Sequence, residues 1–122
     1  MIYAVIGSRG ITDVDFICSV LDTFNDITLI VSGGARGVDT IGADYCKHIL
    51  GIEPLIFRPE YDKYSSKVAP MKRNKTIIDN CQAVIAFWDG ESKGTLDAMK
   101  TARAQGKQVF VFNPNDMNGV LL

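Results

Sequence analysis

The sequence predicts a doubly wound α/β fold, a Rossmann-like three-layer sandwich with about five parallel strands in a single domain, residues 1–122. Three observations carry this. Short apolar runs of strand length recur along the 122 residues. Between them lie segments whose apolar positions repeat with helical period. Several of the runs break into glycine-bearing turns. Strands separated by helices need crossover connections, which make the sheet parallel and cover both its faces. In such sheets ligands sit outside the carboxyl ends of the strands, where the strand order reverses.

The first run, Ile2 to Ile6, ends in Gly7-Ser8-Arg9-Gly10. Thr12-x-x-Asp15 resembles a capping box and opens a helix with apolar positions Val14, Ile17, Cys18 and Leu21. A second strand, Ile27 to Ser32, breaks into Gly33-Gly34-Ala35-Arg36-Gly37, followed by a helix striped by Val38, Ile41, Tyr45, Cys46 and Ile49, with Gly51 at its end. A third strand spans about Glu53 to Phe57. Residues 60–69 are polar and unpatterned and read as a surface loop. Pro70 suits the first turn of a third helix marked by Met71, Asn74, Ile77, Ile78 and Cys81. The fourth strand, Gln82 to Phe87, leads into a second long glycine-bearing turn, Trp88 to Thr95, which opens a helix ending at Gly106. Gln108 to Phe112 is the fifth strand. Asn113-Pro114-Asn115-Asp116 then reads as a stop, leaving a short C-terminal tail.

Composition narrows the function classes. The chain is long enough for one core between a sheet and its helices. A formal net charge of −1 gives no global attraction to nucleic acid, so such a contact would need a local patch. No apolar run approaches the roughly 18 residues that span a bilayer. The first residues, Met-Ile-Tyr-Ala-Val-Ile, read as a strand and not as a signal peptide, so a cytoplasmic location without membrane contact is expected. Cys18, Cys46 and Cys81 lack CxxC spacing and fall on apolar stripes, which makes them reduced core residues. No His/Cys/Asp cluster is present, so neither metal nor cofactor is expected, and the single histidine, His48, reads as a surface residue.

The chemistry lies in the turns. Glycines at 33, 34 and 37 let the backbone approach a ligand, while a new helix offers unpaired N–H groups and its positive dipole end to an anion. Arg36 adds a charge at that rim. The spacing is neither Gly-x-Gly-x-x-Gly nor the Walker pattern, so neither a standard dinucleotide fold nor a P-loop NTPase follows. Turns after the first, second and fourth strands converge on one sheet edge, which points to a binding site. Asp39 falls in the first turn of its helix, where the dipole favours a carboxylate with or without a ligand. Trp88 suits stacking on a base or ribose and suits packing at the rim equally.

Gly7-Ser8-Arg9, Ser32-Gly33-Gly34-Ala35-Arg36-Gly37-Val38-Asp39, Arg73-Asn74 and Asp89-Gly90-x-x-x-Gly94-Thr95-x-x-Asp97 resemble, in order, the motifs of the SLOG superfamily. That superfamily groups the Lonely Guy (LOG) nucleotide hydrolases with the DNA-processing protein DprA and small stand-alone YspA/YpsA-related domains. The stand-alone members, often found in bacteria and phages, are the nearest in appearance. The resemblance implies a nucleotide or nucleotide-derived ligand with its phosphate on the glycine turns. Gly7, Gly33, Gly34, Ala35, Gly37 and Gly94 would give backbone approach, and Ser8, Arg9, Arg36, Asp39, Arg73, Asn74, Trp88 and Thr95 side-chain contacts. It also implies a homo-oligomer, a dimer that completes the pocket.

Two alternatives follow from the same likeness. In LOG enzymes a Pro-Gly-Gly-x-Gly-Thr-x-x-Glu motif and an arginine cleave the N-glycosidic bond of a nucleoside monophosphate. Here Arg73 and Asp97 stand in those places, the carboxylate one methylene shorter and the Pro-Gly-Gly replaced by Trp88-Asp89-Gly90 with three residues before Gly94. The pattern is similar also to nucleoside 2-deoxyribosyltransferases, whose nucleophilic glutamate is missing here. The other alternative is a single-stranded DNA-binding module. Pro70-Met71-Lys72-Arg73-Asn74-Lys75 is similar to a DprA signature, and Lys63 and Lys67 extend a basic patch next to the sheet edge, with Tyr61 and Tyr64 the few aromatics available for stacking and Glu60, Asp62 and Asp79 interleaved.

Overall fold

The computed structural model describes residues 1–114 in full and the backbone of the strand Asp116–Leu121. Its elements are β1 (Ile2–Gly7), α1 (Val14–Asp22), β2 (Leu29–Ser32), α2 (Val38–His48), β3 (Leu55–Ile56), α3 (Val68–Asp79), β4 (Ala83–Phe87), α4 (Lys93–Ala104), β5 (Gln108–Asn113) and β6 (Asp116–Leu121). They form one sheet of order β3-β2-β1-β4-β5-β6, parallel through its first five strands. The predicted α/β class is therefore what the chain adopts. Strand order runs outward from β1 to β3 on one side and from β4 to β6 on the other, so the chain reverses direction across the sheet between β1 and β4.

Each central strand is buried on both sides, with Ala83–Phe87 fully so, as expected of a parallel sheet between helix layers. The period-2 alternation divides the core in two. Tyr3, Val5, Ile30, Ile85 and Phe87 face a cluster that contains Phe16, Ile17, Val20 and Leu21 of α1 and Val38, Tyr45 and Cys46 of α2. Ala4, Ile6, Val31, Val84 and Ala86 face Ile77 and Ile78 of α3 and Ala98, Met99 and Ala102 of α4. Helix α2 lies close on β1: a Cβ on Gly42 would fall 2.7 Å from Val5 Cγ1.

Several boundaries differ from the sequence reading. The expected C-terminal tail is a sixth strand, antiparallel to β5, with Asn113 opposite Asp116. Asn113, Pro114 and Asp116, which read as a stop, are turn formers beside an antiparallel pair, which a tight connection can join and a parallel pair does not use. Asn115, part of that stop, lies outside the described residues. Strand β3 is two residues long, because Pro54 and Pro59 flank it and proline cannot donate to a ladder. The cap of α1 is Asp13, whose Oδ1 accepts the Phe16 N–H at 3.1 Å, not Thr12. Its buried face is Phe16, Ile17, Val20 and Leu21, and Val14 is exposed. Ile49, assigned to the stripe of α2, lies past its end and is exposed, as is Met71 on α3. Cys46 and Cys81 are buried and Cys18 half-buried, all free. Among the described residues no helix is long and apolar enough to cross a membrane.

Candidate functional site

A polar cleft of about 330 Å³ opens at the carboxyl end of the sheet where β1 and β4 lie side by side. Its floor is Ile6, Ile77 and Ala98; its walls come from the turns after β1, β2 and β4 and from α3. This is the crevice that the strand-order reversal leaves, since the connections from β1 and β4 depart to opposite faces.

The β1 turn contributes Gly7, Ser8 and Arg9. Gly7 is confined: an added Cβ would sit 2.5 Å from Val38 Cγ2 and 2.6 Å from the Phe87 carbonyl. Ser8 is buried and ties the first turn to the third. Its N–H donates to the Phe87 carbonyl at 2.9 Å, and its Oγ accepts the Asp89 N–H at 3.2 Å. Arg9 stands exposed at the rim.

The β2 turn is held by the first residues of α2. Ser32 Oγ donates to the Asp39 carbonyl at 2.9 Å and accepts the Gly34 N–H at 3.4 Å, while Thr40 Oγ1 donates to the Ala35 carbonyl at 2.7 Å. Gly34 and Gly37 take φ of +72° and +76°, which permits the tight reversal before the helix. Asp39 reaches back into this turn. Its Oδ2 accepts the Ala35 N–H at 3.3 Å, and Arg73 and Arg9 lie near enough to act on its charge. Only 6% of Asp39 is exposed, and burial lifts its carboxyl from the ordinary 3.8 to about 6 despite those partners. The glycine turn thus already holds an anionic group of the protein's own.

Helix α3 supplies Arg73 and Asn74. Arg73 Nη1 donates to the Gly33 carbonyl at 2.7 Å and its Nε to Asn74 Oδ1 at 3.1 Å, and Asn74 Nδ2 donates on to the Gly94 carbonyl at 3.3 Å. One chain of hydrogen bonds therefore joins the β2 turn to the start of α4. Gly33 makes room for it, since a Cβ there would stand 2.7 Å from both Arg73 Nη1 and Asp39 Oδ2.

The start of α4 is the part of the cleft best suited to an anion. Ser92 is its N-cap but makes no side-chain cap, and the Ser92 N–H is taken by Asp89 Oδ1 at 2.8 Å. The Leu96 N–H already has the Ser92 carbonyl, which leaves the first-turn amides of Lys93, Gly94 and Thr95 without an intrahelical partner. Gly94 and Thr95 line the cleft. Thr95 is buried and receives a hydrogen bond from Ser92 Oγ at 3.3 Å, so its own O–H is left to donate. Hydrogen bonds from the Ser92 and Glu91 amides hold the Asp89 carboxyl below the usual range.

Of the residues the sequence pointed to, Gly7, Ser8, Arg9, Ala35, Asp39, Arg73, Asn74, Gly94 and Thr95 line this one cleft. Gly33 and Gly34 form the wall of an adjoining depression. Gly37 sits behind the turn, where a Cβ would meet the Arg9 and Ile11 carbonyls at 2.9 Å, and Arg36 is exposed on the turn without lining the cleft. Trp88 packs against the core and its Nε1 donates to the Ser92 carbonyl at 2.9 Å, so the indole braces the third turn. Asp97 is half-buried on α4 and does not line the cleft. The carboxylates that do are Asp39 and Asp89. In the sequence Asp89 stood out only within the motif likeness and Ser92 only as part of the turn.

In the basic segment, Lys75 pairs with Asp79 at 2.8 Å and Lys63 with Glu60 at 2.9 Å, while Lys72 lies 5.7 Å from the Tyr64 ring centre. His48 is exposed in the last turn of α2. Among the described residues no group of His, Cys, Asp and Glu is placed to hold a metal.

Fold and site together define a parallel α/β domain with a polar cleft at its switch point. Comparison with protein-family models, with curated proteins and with solved structures finds no match.

Proposed function

We propose that this chain is a nucleotide-binding protein of the SLOG type, taking a nucleotide or nucleotide derivative at the switch-point cleft. The observation that carries the reading is the convergence of three turns on one cleft, with open helix N–H groups on one wall and Arg9 and Arg73 on another. A phosphoryl group would accept from the Gly94 and Thr95 amides and the Thr95 hydroxyl. The Asp39 and Asp89 carboxylates, which cannot donate when ionised, would accept from ribose hydroxyls or base amino groups. Gly33 to Gly37 would then shape the site more than grip phosphate, because Asp39 already occupies an amide of that turn.

A second reading, hydrolysis of a nucleotide N-glycosidic bond, is favoured by one observation: a buried carboxyl raised to about 6 shares the cleft with Arg73. That carboxyl is Asp39, which would act where the motif likeness assigns Asp97. A group titrating near the working pH suits proton transfer or stabilisation of an oxocarbenium ion. The DNA-binding reading is weakened by the internal pairing of Lys63 and Lys75.

One experiment separates these readings. A panel of nucleoside monophosphates is titrated by thermal shift and, in parallel, incubated with the protein while free base is sought by chromatography. Stabilisation without base release supports binding; base release lost in Asp39→Asn supports hydrolysis. No shift with any nucleotide at millimolar concentration would refute both.

A further inference from the structure

A second depression, of about 310 Å³, adjoins the cleft on the β3 side of the glycine turn. It shares Arg9, Ala35 and Arg73 with the first and adds Arg58, Pro59 and Tyr61 from the segment after β3. Two of its guanidiniums are fixed by successive carbonyls of one turn: Arg73 Nη1 donates to Gly33 at 2.7 Å, and Arg58 Nη1 to Gly34 at 3.1 Å. Both placements need glycine. A Cβ on Gly34 would fall 2.8 Å from Arg58 Nη1, as one on Gly33 would fall 2.7 Å from Arg73 Nη1.

The two spaces differ in charge. The first has Asp39 and Asp89 in its walls; the second has three arginines and neither aspartate nor glutamate. Burial and, to a smaller degree, the charge of Arg9 work against the Arg73 guanidinium while Asp39 favours it, and an anion set against the two arginines would add to that compensation. Guanidinium forks suit the planar, bidentate recognition of phosphate. Tyr61, 57% exposed, offers a ring at the outer wall.

We propose that this second depression is a subsite for a further phosphoryl group, so that the ligand is a nucleotide with two anionic groups on opposite sides of Arg73. One group lies at the start of α4, the other against Arg9 and Arg58, and the sugar between them faces Asp39. The proposal rests on the nucleotide reading and narrows its ligand class.

The test is calorimetric titration of the 5′-monophosphates, 5′-diphosphates and 3′,5′-bisphosphates of the four common nucleosides against the wild type and Arg58→Ala. Arg58 is exposed, with its hydrogen bond made to one carbonyl, and urea unfolding checks that the variant keeps its stability. The expected result is a 3′,5′-bisphosphate, whose phosphates flank the sugar, binding about tenfold or more tighter than the 5′-monophosphate and the 5′-diphosphate, a gain of the size of one charged hydrogen bond. That gain is lost in Arg58→Ala while monophosphate affinity stays within about twofold. Equal affinities in the wild type, or a gain that survives Arg58→Ala, overturn the subsite and leave nucleotide binding standing. Absence of binding by every compound overturns both.

Discussion

Replacing Asp39 by asparagine tests how the cleft is built. The carboxyl is 6% exposed and titrates near 6 in the folded chain against 3.8 for the ordinary group. That difference corresponds to about 3 kcal/mol between its two protonation states. The sign follows from which state holds the proton more tightly. Between pH 4 and 6 the folded chain keeps the Asp39 proton and the unfolded chain has lost it, so stability falls as pH rises through that window. The attraction of Arg73 and Arg9 is already contained in this balance, because it lowers the value that burial raises. Asparagine keeps an acceptor for the Ala35 N–H but carries no charge to desolvate. Urea unfolding at intervals from pH 4 to pH 7 should therefore show the wild type losing up to about 3 kcal/mol relative to Asp39→Asn as pH rises. Other titrating groups are common to both proteins and cancel in the difference. Parallel stability curves would refute the claim that Asp39 is ionised at a cost inside this cleft.

Four further outcomes are expected. Gly7→Ala should destabilise by about 1 to 3 kcal/mol in urea unfolding, since its Cβ overlaps both Val38 and the Phe87 carbonyl, neither of which can move freely. Arg73→Lys should weaken nucleotide binding by about tenfold in calorimetry, because an ammonium cannot bridge the Gly33 carbonyl and Asn74 as the guanidinium does. Trp88→Phe should cost about 1 kcal/mol in the same unfolding assay through loss of the bond to the Ser92 carbonyl. Asp97→Asn should leave nucleotide affinity within about twofold of the wild type, since Asp97 does not line the cleft.

The parallel sheet was legible because its strands are buried on both faces. Ala83–Phe87 shows this most plainly: five apolar residues in a row have no amphipathic alternative among turn-bounded segments. The turn after β2 was equally plain, since Gly34 and Gly37 do adopt the positive φ that glycine permits. Strand β6 was missed because Asn113, Pro114 and Asp116 are turn-forming types, and such residues either end regular structure or join two antiparallel strands. The register of α1 was misjudged at Val14 because a nine-residue helix gives its period too few repeats, and the core chose Phe16 and Val20 instead.

The site was legible in its backbone and less so in its charges. Glycines and helix starts are local features, and they mark Gly7, Gly94 and Thr95 directly. The position of Asp39 depends on Arg73, thirty-four residues later in the chain, and on the Ala35 amide, so composition alone left its role open. Trp88 offered an indole suited to stacking, and its partner turned out to be the Ser92 carbonyl in its own turn. Asp97 has motif spacing, but Thr95 and Ala98 are the α4 side chains turned to the cleft, and a residue between them on a helix projects elsewhere.

The proposed nucleotide site is formed by three separate turns. Amide chemical-shift mapping during titration with a nucleoside monophosphate tests it most directly. A contiguous set of saturable shifts is expected at Gly7 to Arg9, Gly33 to Ala35, Arg73-Asn74 and Ser92 to Thr95, with α1 and the β5 strand unchanged. Shifts confined to the lysines of 63–75, or none at millimolar ligand, would contradict it.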